Sequence, residues 1–375
     1  MISEECFVRN ITNWSDDVLS QHVKTWTNSS SSSSELRQDV AKLNVFGTMI
    51  PKQYGGEGYG FTTLIKILEH LAAADFGFAM SLVNSHNVAL RLSISASSRV
   101  RRIYIPKILA GEFSACTALT EPTAGSDFSA IKTTARRSED GWVLNGEKVW
   151  IVNAEFADLA IVFAQCGDIG DASRIGAFLV NLKDANVTQT PQETYFSQTS
   201  IGTGRFHIRG AILPDDHLIL APGEGFKSIL KEINAARTYV AAMCNSMLAK
   251  ALSEVEAYGR ERVLFSKKLS ELSIWKNDVM LAHDALKQSA AQTQKAIDVV
   301  EHAGDAKILA ATAKVCAVDT LQEHLPKLLQ NMGAAGLSPE YCFSRHIAAS
   351  QFAGFTDGAS NLLRESLQLQ KMSPN

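Results

Sequence analysis

CTALTEPTAGSD, residues 116–127, followed by WVLNGEKVWIVNAEFAD, residues 142–158, decides how the rest of the chain is read. A short apolar run leads into a loop of small residues, Thr123, Ala124, Gly125 and Ser126. With no bulky side chain in the way, such a loop can lay backbone N–H groups against a flat, polar ligand. Asn145-Gly146, between the apolar runs at 142–144 and 149–151, is the strongest short-range signal for a two-residue hairpin turn. The pattern predicts two strands joined at that dipeptide, beside a ligand-cradling loop.

Outward from this stretch, the β-type pattern extends over residues 114–222. Short runs at 131–137, 142–144, 149–152, 159–163, 177–180 and 206–212 are punctuated by Gly, Asn and Asp, as in an antiparallel sheet or barrel. Pro222-Gly223-Glu224-Gly225 closes it. The preceding region, 1–113, reads as helical, with Leu, Ile, Phe and Val at helical spacing over 62–75 and 78–92. The serine tract 29–34 reads as a flexible connector. The glycine-rich segment 51–60 lacks the preceding strand of a dinucleotide fingerprint and reads as a turn between helices. The final region, 223–375, carries long amphipathic runs at 226–260, 269–303 and 306–332, which suggest an antiparallel bundle. The class is α+β in three parts: helical, central β and helical bundle.

With 375 residues, 46% hydrophobic and 20% charged, the composition is that of an ordinary globular protein. A net charge of −3 gives no reason to expect a nucleic-acid partner. Arg101-Arg102 and Arg136-Arg137 read as solvated surface. Six scattered cysteines without a CxxC pair argue against a metal site or a disulfide framework and fit a reducing compartment. No apolar run is long enough to cross a bilayer, and the acidic start (Glu4, Glu5, Asp16, Asp17) is unlike a secretory leader. The expectation is a cytoplasmic protein with no membrane partner.

From about residue 46 to 369 the chain closely resembles the acyl-CoA dehydrogenases. IPKQYGGEGYG (50–60) matches a glycine-rich turn, and IPKILAGEFSACTALTEPTAGSD (105–127) matches the approach to the flavin loop. The resemblance implies an acyl-CoA dehydrogenase-like fold: a helical N-terminal domain, a central antiparallel β-domain and a C-terminal four-helix bundle. It implies FAD as cofactor, contacted by Thr120, Gly125 and Ser126, with Ser126 also near the bound thioester. Trp150 matches a tryptophan that packs beside the flavin, although an aromatic at a strand end is by itself just as well core. Val152 stands where the family generally has a threonine bonded to flavin N5, forfeiting about 0.5–1.5 kcal/mol. Arg262 and Phe265 in GRERVLFSKKL (259–269) match an arginine–aromatic pair that holds the FAD of a neighbouring subunit. Arginine suits a pyrophosphate because its fork donates two parallel hydrogen bonds. Gln330, Gly333 and Gly336 in QNMGAAG (330–336) match a turn gripping FAD across the same interface. Shared sites of this kind imply a homodimer or homotetramer.

The catalytic match falls on FTDGASNLL (355–363), where Asp357 occupies the place of the family's proton-abstracting glutamate. Aspartate is one methylene shorter, and a misplacement of about 1 Å can cost on the order of 100-fold in rate. Some relatives carry the base just before the arginine of the first bundle helix, but here Ala236 precedes Arg237. The resemblance puts Gly358 and Arg237 on the substrate side, and Asn361 where the FAD pyrophosphate is commonly contacted. Ala359, Ala348-Ala349 and Asn234 depart from the usual pattern around it. The implied reaction is FAD-dependent α,β-dehydrogenation of an acyl thioester, carried on CoA or on acyl carrier protein. Residues 148–158, KVWIVNAEFAD, are similar to members that act on carrier-bound groups in secondary metabolism. No residue points to a particular electron acceptor. Redox-neutral thioester chemistry (dehydration, isomerisation or cyclisation), a flavin monooxygenase compatible with Val152, and a non-catalytic role remain alternatives.

Overall fold

The computed structural model describes residues 3–26, 34–168, 171–193 and 199–372. Most of the serine tract therefore lies outside the described residues, and Ser34 opens a helix. In the first part, α1 (Glu4–Trp14) begins with Ser3 Oγ accepting from the Cys6 N–H, and carries Glu4 and Glu5 in its first turn. A π-turn over Ser15–Leu19 leads to α2 (Ser20–Thr25), and α3 (Ser34–Ala41) follows. Next come α4 (Phe61–Ala74), α5 (Phe76–Ser95) and α6 (Ser98–Leu109). Asp75 caps α5 by accepting from the Phe78 N–H at 2.7 Å. The glycine-rich segment before α4 is a turn, as its composition suggested.

The central sheet comprises β1 (Ala115–Ala118), β2 (Thr134–Ser138), β3 (Gly141–Ile151), β4 (Leu159–Gln165), β5 (Ile175–Asn181), β6 (Val187–Pro191), β7 (Gly204–Leu213) and β8 (Leu218–Leu220). Its order is β6-β7-β3-β2-β4-β5-β8, with β1 on β4. The sheet is mostly antiparallel, with two exceptions: β1 runs parallel to β4, and β2 meets β4 in a single parallel pair. A parallel neighbour needs a long crossover, and the small-residue loop and the β2–β3 hairpin lie within the one between β1 and β4.

The hairpin expected at Asn145-Gly146 is corrected by the structure. Residues 141–151 form one strand, and its turn lies earlier, where Ser138 pairs with Gly141. Asn145 sits at a register shift between β3 and β7, and its Oδ1 accepts from the Gly210 N–H at 2.8 Å. Gly146 is required by close approach, since a Cβ there would lie 2.7 Å from Thr133 Cα. The dipeptide serves an irregularity within a strand instead of a reversal.

In the last part, α7 (Glu224–Glu261) leads into a short ribbon, β9 (Val263–Leu264) with β10 (Lys267–Lys268). Then come α8 (Ser273–Glu301), α9 (Lys307–Met332), α10 (Phe343–Phe355) and α11 (Ser360–Met372). The three long helices fall within a few residues of their expected bounds, because their apolar faces repeat with helical spacing throughout. Asn245 ties α7 to α8 by donating to Thr293 at 2.9 Å and accepting from Ser289 at 2.6 Å. One apolar core runs through both helical parts, joining Leu64, Leu68 and Leu71 of α4 to Met243 and Met247 of α7.

The same two parts are also joined by polar groups. Glu301, at the end of α8, accepts from the Thr62 N–H at 2.6 Å and the Thr62 hydroxyl at 2.8 Å. The first turn of α4 thus receives its cap from another part of the molecule. Glu301→Ala should cost about 1 kcal/mol, the usual worth of a lost helix cap. Chemical denaturation checks this, with Glu301→Gln expected to recover part of the loss.

Candidate active site

The turn between α10 and α11 carries Asp357. Its backbone is left-handed, with φ of 55°, and Gly358 follows at φ of 112°. Among side-chain-bearing residues, Asp and Asn accept this region most readily, so a short carboxylate suits this turn. Two cations from different helices hold it. Arg237 of α7 donates through Nε to the Asp357 carbonyl at 3.0 Å and through Nη1 to Asn234 Oδ1 at 3.4 Å. Lys314 of α9, with 0% of its surface exposed, spends all three donors around the same turn. It reaches the Gly354 carbonyl at 2.9 Å, the Gly358 carbonyl at 2.8 Å and Ser360 Oγ at 2.9 Å. Both sides of Asp357 are thereby tied to one ammonium.

The carboxylate itself is left free. Asp357 Oδ2 is buried and has no hydrogen-bond partner among the described residues. Burial pushes the acid up to about 6, against the opposing pull of Arg237 and Lys314. Burial likewise lowers Lys314 to about 8. A carboxylate with an unengaged oxygen and a raised pKa is poised to accept a proton near neutral pH.

The small-residue loop is positioned by a second buried ion pair. Lys148 of β3 donates to Glu121 Oε1 at 2.7 Å and to the Leu119 carbonyl at 3.0 Å. Glu121 also accepts from the Lys132 and Thr133 N–H groups at 2.6 and 3.0 Å. Burial opposes ionisation of Glu121, yet Lys148 and these donors hold it below its ordinary range. Thr120 is half-buried and accepts through its carbonyl from the Val149 N–H at 3.1 Å. Gly125 and Ser126 are exposed, and a Cβ on Gly125 would meet only Thr120 Cγ2, at 3.9 Å. The loop therefore leaves its backbone at Gly125 and Ser126 open to approach. Trp150, 55% exposed, has a left-handed φ of 56°, an uncommon state for a bulky residue. Val152 is half-buried beside it.

Helix α5 brings the two halves together. Asn153, buried just after Trp150, accepts from Ser81 Oγ and donates to Ser114 Oγ at 2.9 Å and to the Ala115 carbonyl at 2.8 Å. Asn87, six residues beyond Ser81 and hence about 9 Å along the helix, donates to Tyr239 Oη at 3.5 Å. Tyr239 is buried on α7, and the neighbouring Asp357 charge adds to burial in raising its hydroxyl well above the ordinary range. One stretch of α5 thus meets both Asn153, after β3, and Tyr239, whose hydroxyl feels the Asp357 charge.

The remaining sequence-derived positions lie elsewhere on the surface. The Arg262 guanidinium makes no hydrogen bond or ion pair among the described residues, and Phe265 is 92% exposed at φ of 50°. Gln330 and Gly333 are exposed, and a Cβ on Gly333 (φ 61°) would touch nothing. Gly336 differs from them. It is buried, and a Cβ there would lie 2.6 Å from Leu329 and 2.8 Å from Met332, so close packing also requires a glycine here. Asn361 is exposed at the start of α11, its Oδ1 accepting from the Leu362 N–H at 2.9 Å. Gly358 lies against Arg237, whose Nη2 would be 3.3 Å from a Cβ. The sequence pattern missed Lys314, the Lys148–Glu121 pair, Asn153 and Tyr239. For Lys314 a signal existed, a single cation among small apolar residues in AATAKVCAV, 310–318.

This is the architecture of the acyl-CoA dehydrogenases. Residues 3–112, 116–211 and 223–370 match the N-terminal, middle and C-terminal domains of acyl-CoA dehydrogenase, and the chain belongs to that family. It is accordingly a flavoprotein oxidoreductase, with FAD as its cofactor. It is 25% identical to the glutaryl-CoA dehydrogenase of Desulfococcus multivorans, over 90% of this chain and 88% of that one. The fold matches that of butyryl-CoA dehydrogenase from Megasphaera elsdenii with a TM-score of 0.92 at 22% identity, covering 100% and 99% of the chains. It also matches PigA with FAD and proline at 0.91 and 22%, covering 99% and 98%. No described helix is long and apolar enough to cross a membrane, and no described group of three or more His, Cys, Asp or Glu could hold a metal.

Lys314→Met removes both the clamp and a positive charge near Asp357. The rate should fall on the order of 10- to 100-fold through misplacement of the base. The acidic limb of the pH–rate profile should also move to higher pH. A loss of rate with an unmoved acidic limb would show that the charge of Lys314 does not act on the base.

Proposed function

We propose that this chain dehydrogenates an acyl thioester between its α and β carbons, with Asp357 as the base that removes the α-proton. The observation that carries the reading is the unpartnered, buried Oδ2 of Asp357 on a turn clamped by Arg237 and Lys314. Among the described residues, the Asp357 N–H finds no backbone or side-chain acceptor either. It is available to polarise the thioester carbonyl, which lowers the barrier to α-deprotonation. FAD, when bound, supplies the acceptor for the hydride that leaves the β-carbon. The open space over Gly125, where a Cβ would meet only Thr120 Cγ2 at 3.9 Å, leaves room for a flat ring to approach the loop. Val152 offers it shape without a hydrogen bond. The relatives are named for acyl groups from glutaryl to very long-chain. The carrier of the acyl group here is CoA or an acyl carrier protein, both of which present pantetheine.

A homodimer or homotetramer accompanies this reading. The exposed Arg262, Phe265, Gln330 and Gly333 lack partners that would explain their presentation, and a second copy's FAD supplies one. Arg262→Ala should release FAD during gel filtration while leaving the helical content unchanged. Retention of the full complement of FAD would count against the shared site.

Anaerobic titration with butanoyl-CoA tests the reaction, since bleaching of the oxidised flavin reports hydride transfer. Asp357→Asn should remain yellow and lose about 10²–10⁴-fold in bleaching rate, the usual worth of a general base. Because the base must be ionised, kcat/KM should be lost as pH falls through about 6. A profile flat from pH 5 to 8 would remove Asp357 from this role.

A further inference from the structure

The face that α5 turns toward the site is polar. Along this helix Leu82, Val83, Ser85, His86, Val88 and Ala89 are buried. Ser81, Asn84 and Asn87 remain partly accessible at intervals of three residues, which places them on one stripe. One end of the stripe is anchored beside the flavin loop, where Ser81 donates to Asn153. Its other end is anchored beside the base, where Asn87 meets Tyr239. Asn84 lies between. Its amide N–H donates to the Met80 carbonyl at 3.0 Å, and its Oδ1 has no partner among the described residues. The Tyr239 hydroxyl accepts from Asn87, while its own proton has no acceptor among them.

Asn84 is one helical turn from Asn87, which meets Tyr239, and the Tyr239 hydroxyl feels the Asp357 charge, so an acceptor and a donor stand together near the carboxylate. Covering them with a plain alkyl chain would strip their water and return nothing, which weakens binding for each group left unsatisfied. A hydrogen-bonding substituent would satisfy both at once. Sites built with buried polar groups discriminate strongly against ligands that lack the matching group.

We propose that Asn84, Asn87 and Tyr239 form a polar acyl subsite, and that the substrate is an acyl thioester bearing a hydroxyl or amine close to the reacting carbons. This rests on the dehydrogenase reading above and narrows its substrate class. A hydroxyl donates its proton to Asn84 Oδ1 and accepts from the Tyr239 hydroxyl, whereas an amine, protonated at neutral pH, donates to Asn84 Oδ1 and to the Tyr239 oxygen. No bond is made or broken at the substituent.

Binding can be separated from turnover in the Asp357→Asn protein, loaded with FAD and titrated calorimetrically with butanoyl-, 3-hydroxybutanoyl- and 3-aminobutanoyl-pantetheine. At least one polar thioester should bind tenfold or more tighter than butanoyl. Adding Tyr239→Phe or Asn84→Leu should bring the ligands within about threefold of one another, chiefly by weakening the polar ones. Equal or tighter binding of butanoyl overturns the polar subsite while leaving the thioester reading intact. A polar preference that survives both substitutions overturns the assignment to these residues. Failure of all three thioesters to bind overturns the thioester reading itself, and this inference with it.

Discussion

A single buried ammonium governs the geometry of the reacting centre. Lys314 lies in the apolar interior of the bundle, where an unsatisfied cation would be far too costly to keep. It must find three acceptors, and helices α9 and α10 offer few, because their carbonyls are engaged internally. The chain answers by opening between α10 and α11, so that the Gly354 and Gly358 carbonyls and Ser360 Oγ converge on Nζ. Asp357 sits at the apex of that opening. The turn that exposes the base and the acceptors that neutralise the lysine are the same stretch of backbone.

The flavin loop is built by the same device. Lys148 and Glu121 are both buried, and Glu121 gathers the N–H groups of Lys132 and Thr133 as well as the ammonium. These bonds hold the two ends of the small-residue loop together while leaving Gly125 and Ser126 open. Removing either partner would strand a charge in the interior, which is why buried pairs tolerate single substitutions poorly. Asn153 completes the arrangement by fastening the residues after Trp150 to β1 and α5. Rigid α5 then fixes the distance from loop to base.

This chain keeps the family's frame and departs from its usual residues locally. An aspartate in the left-handed region stands where the resemblance expects a glutamate, Ala236 precedes Arg237 at the alternative position, and the Val152 side chain carries no hydrogen-bond donor. On the proposed reading, Asn84, Asn87 and Tyr239 give α5 and α7 a polar lining beside the base. The buried Lys148–Glu121 pair and the Lys314 clamp that shape the backbone are complete.

Much of the architecture was legible in the residues themselves. Helical spacing delimited α7, α8 and α9 because long amphipathic helices announce their period many times over. The loop at 119–127 was legible because small residues in a row leave few other uses. Asn145-Gly146 misled, since the backbone freedom that suits a tight turn equally suits a bulge pressed against Thr133. Gly336 has a requirement that the sequence did not show, since a Cβ there would press on Leu329 and Met332. The chain's own order of residues determined which segments are helix, strand and loop, and placed a carboxylate after α10. Only the folded structure decided that Lys314, 43 positions earlier in the numbering, would clamp the turn that carries that carboxylate, and that Tyr239 would stand beside Asn87. Local periodicity depends on neighbours along the chain. Pairing of buried charges and polar groups depends on which distant segments exclude water together, and that is a property of the assembled core.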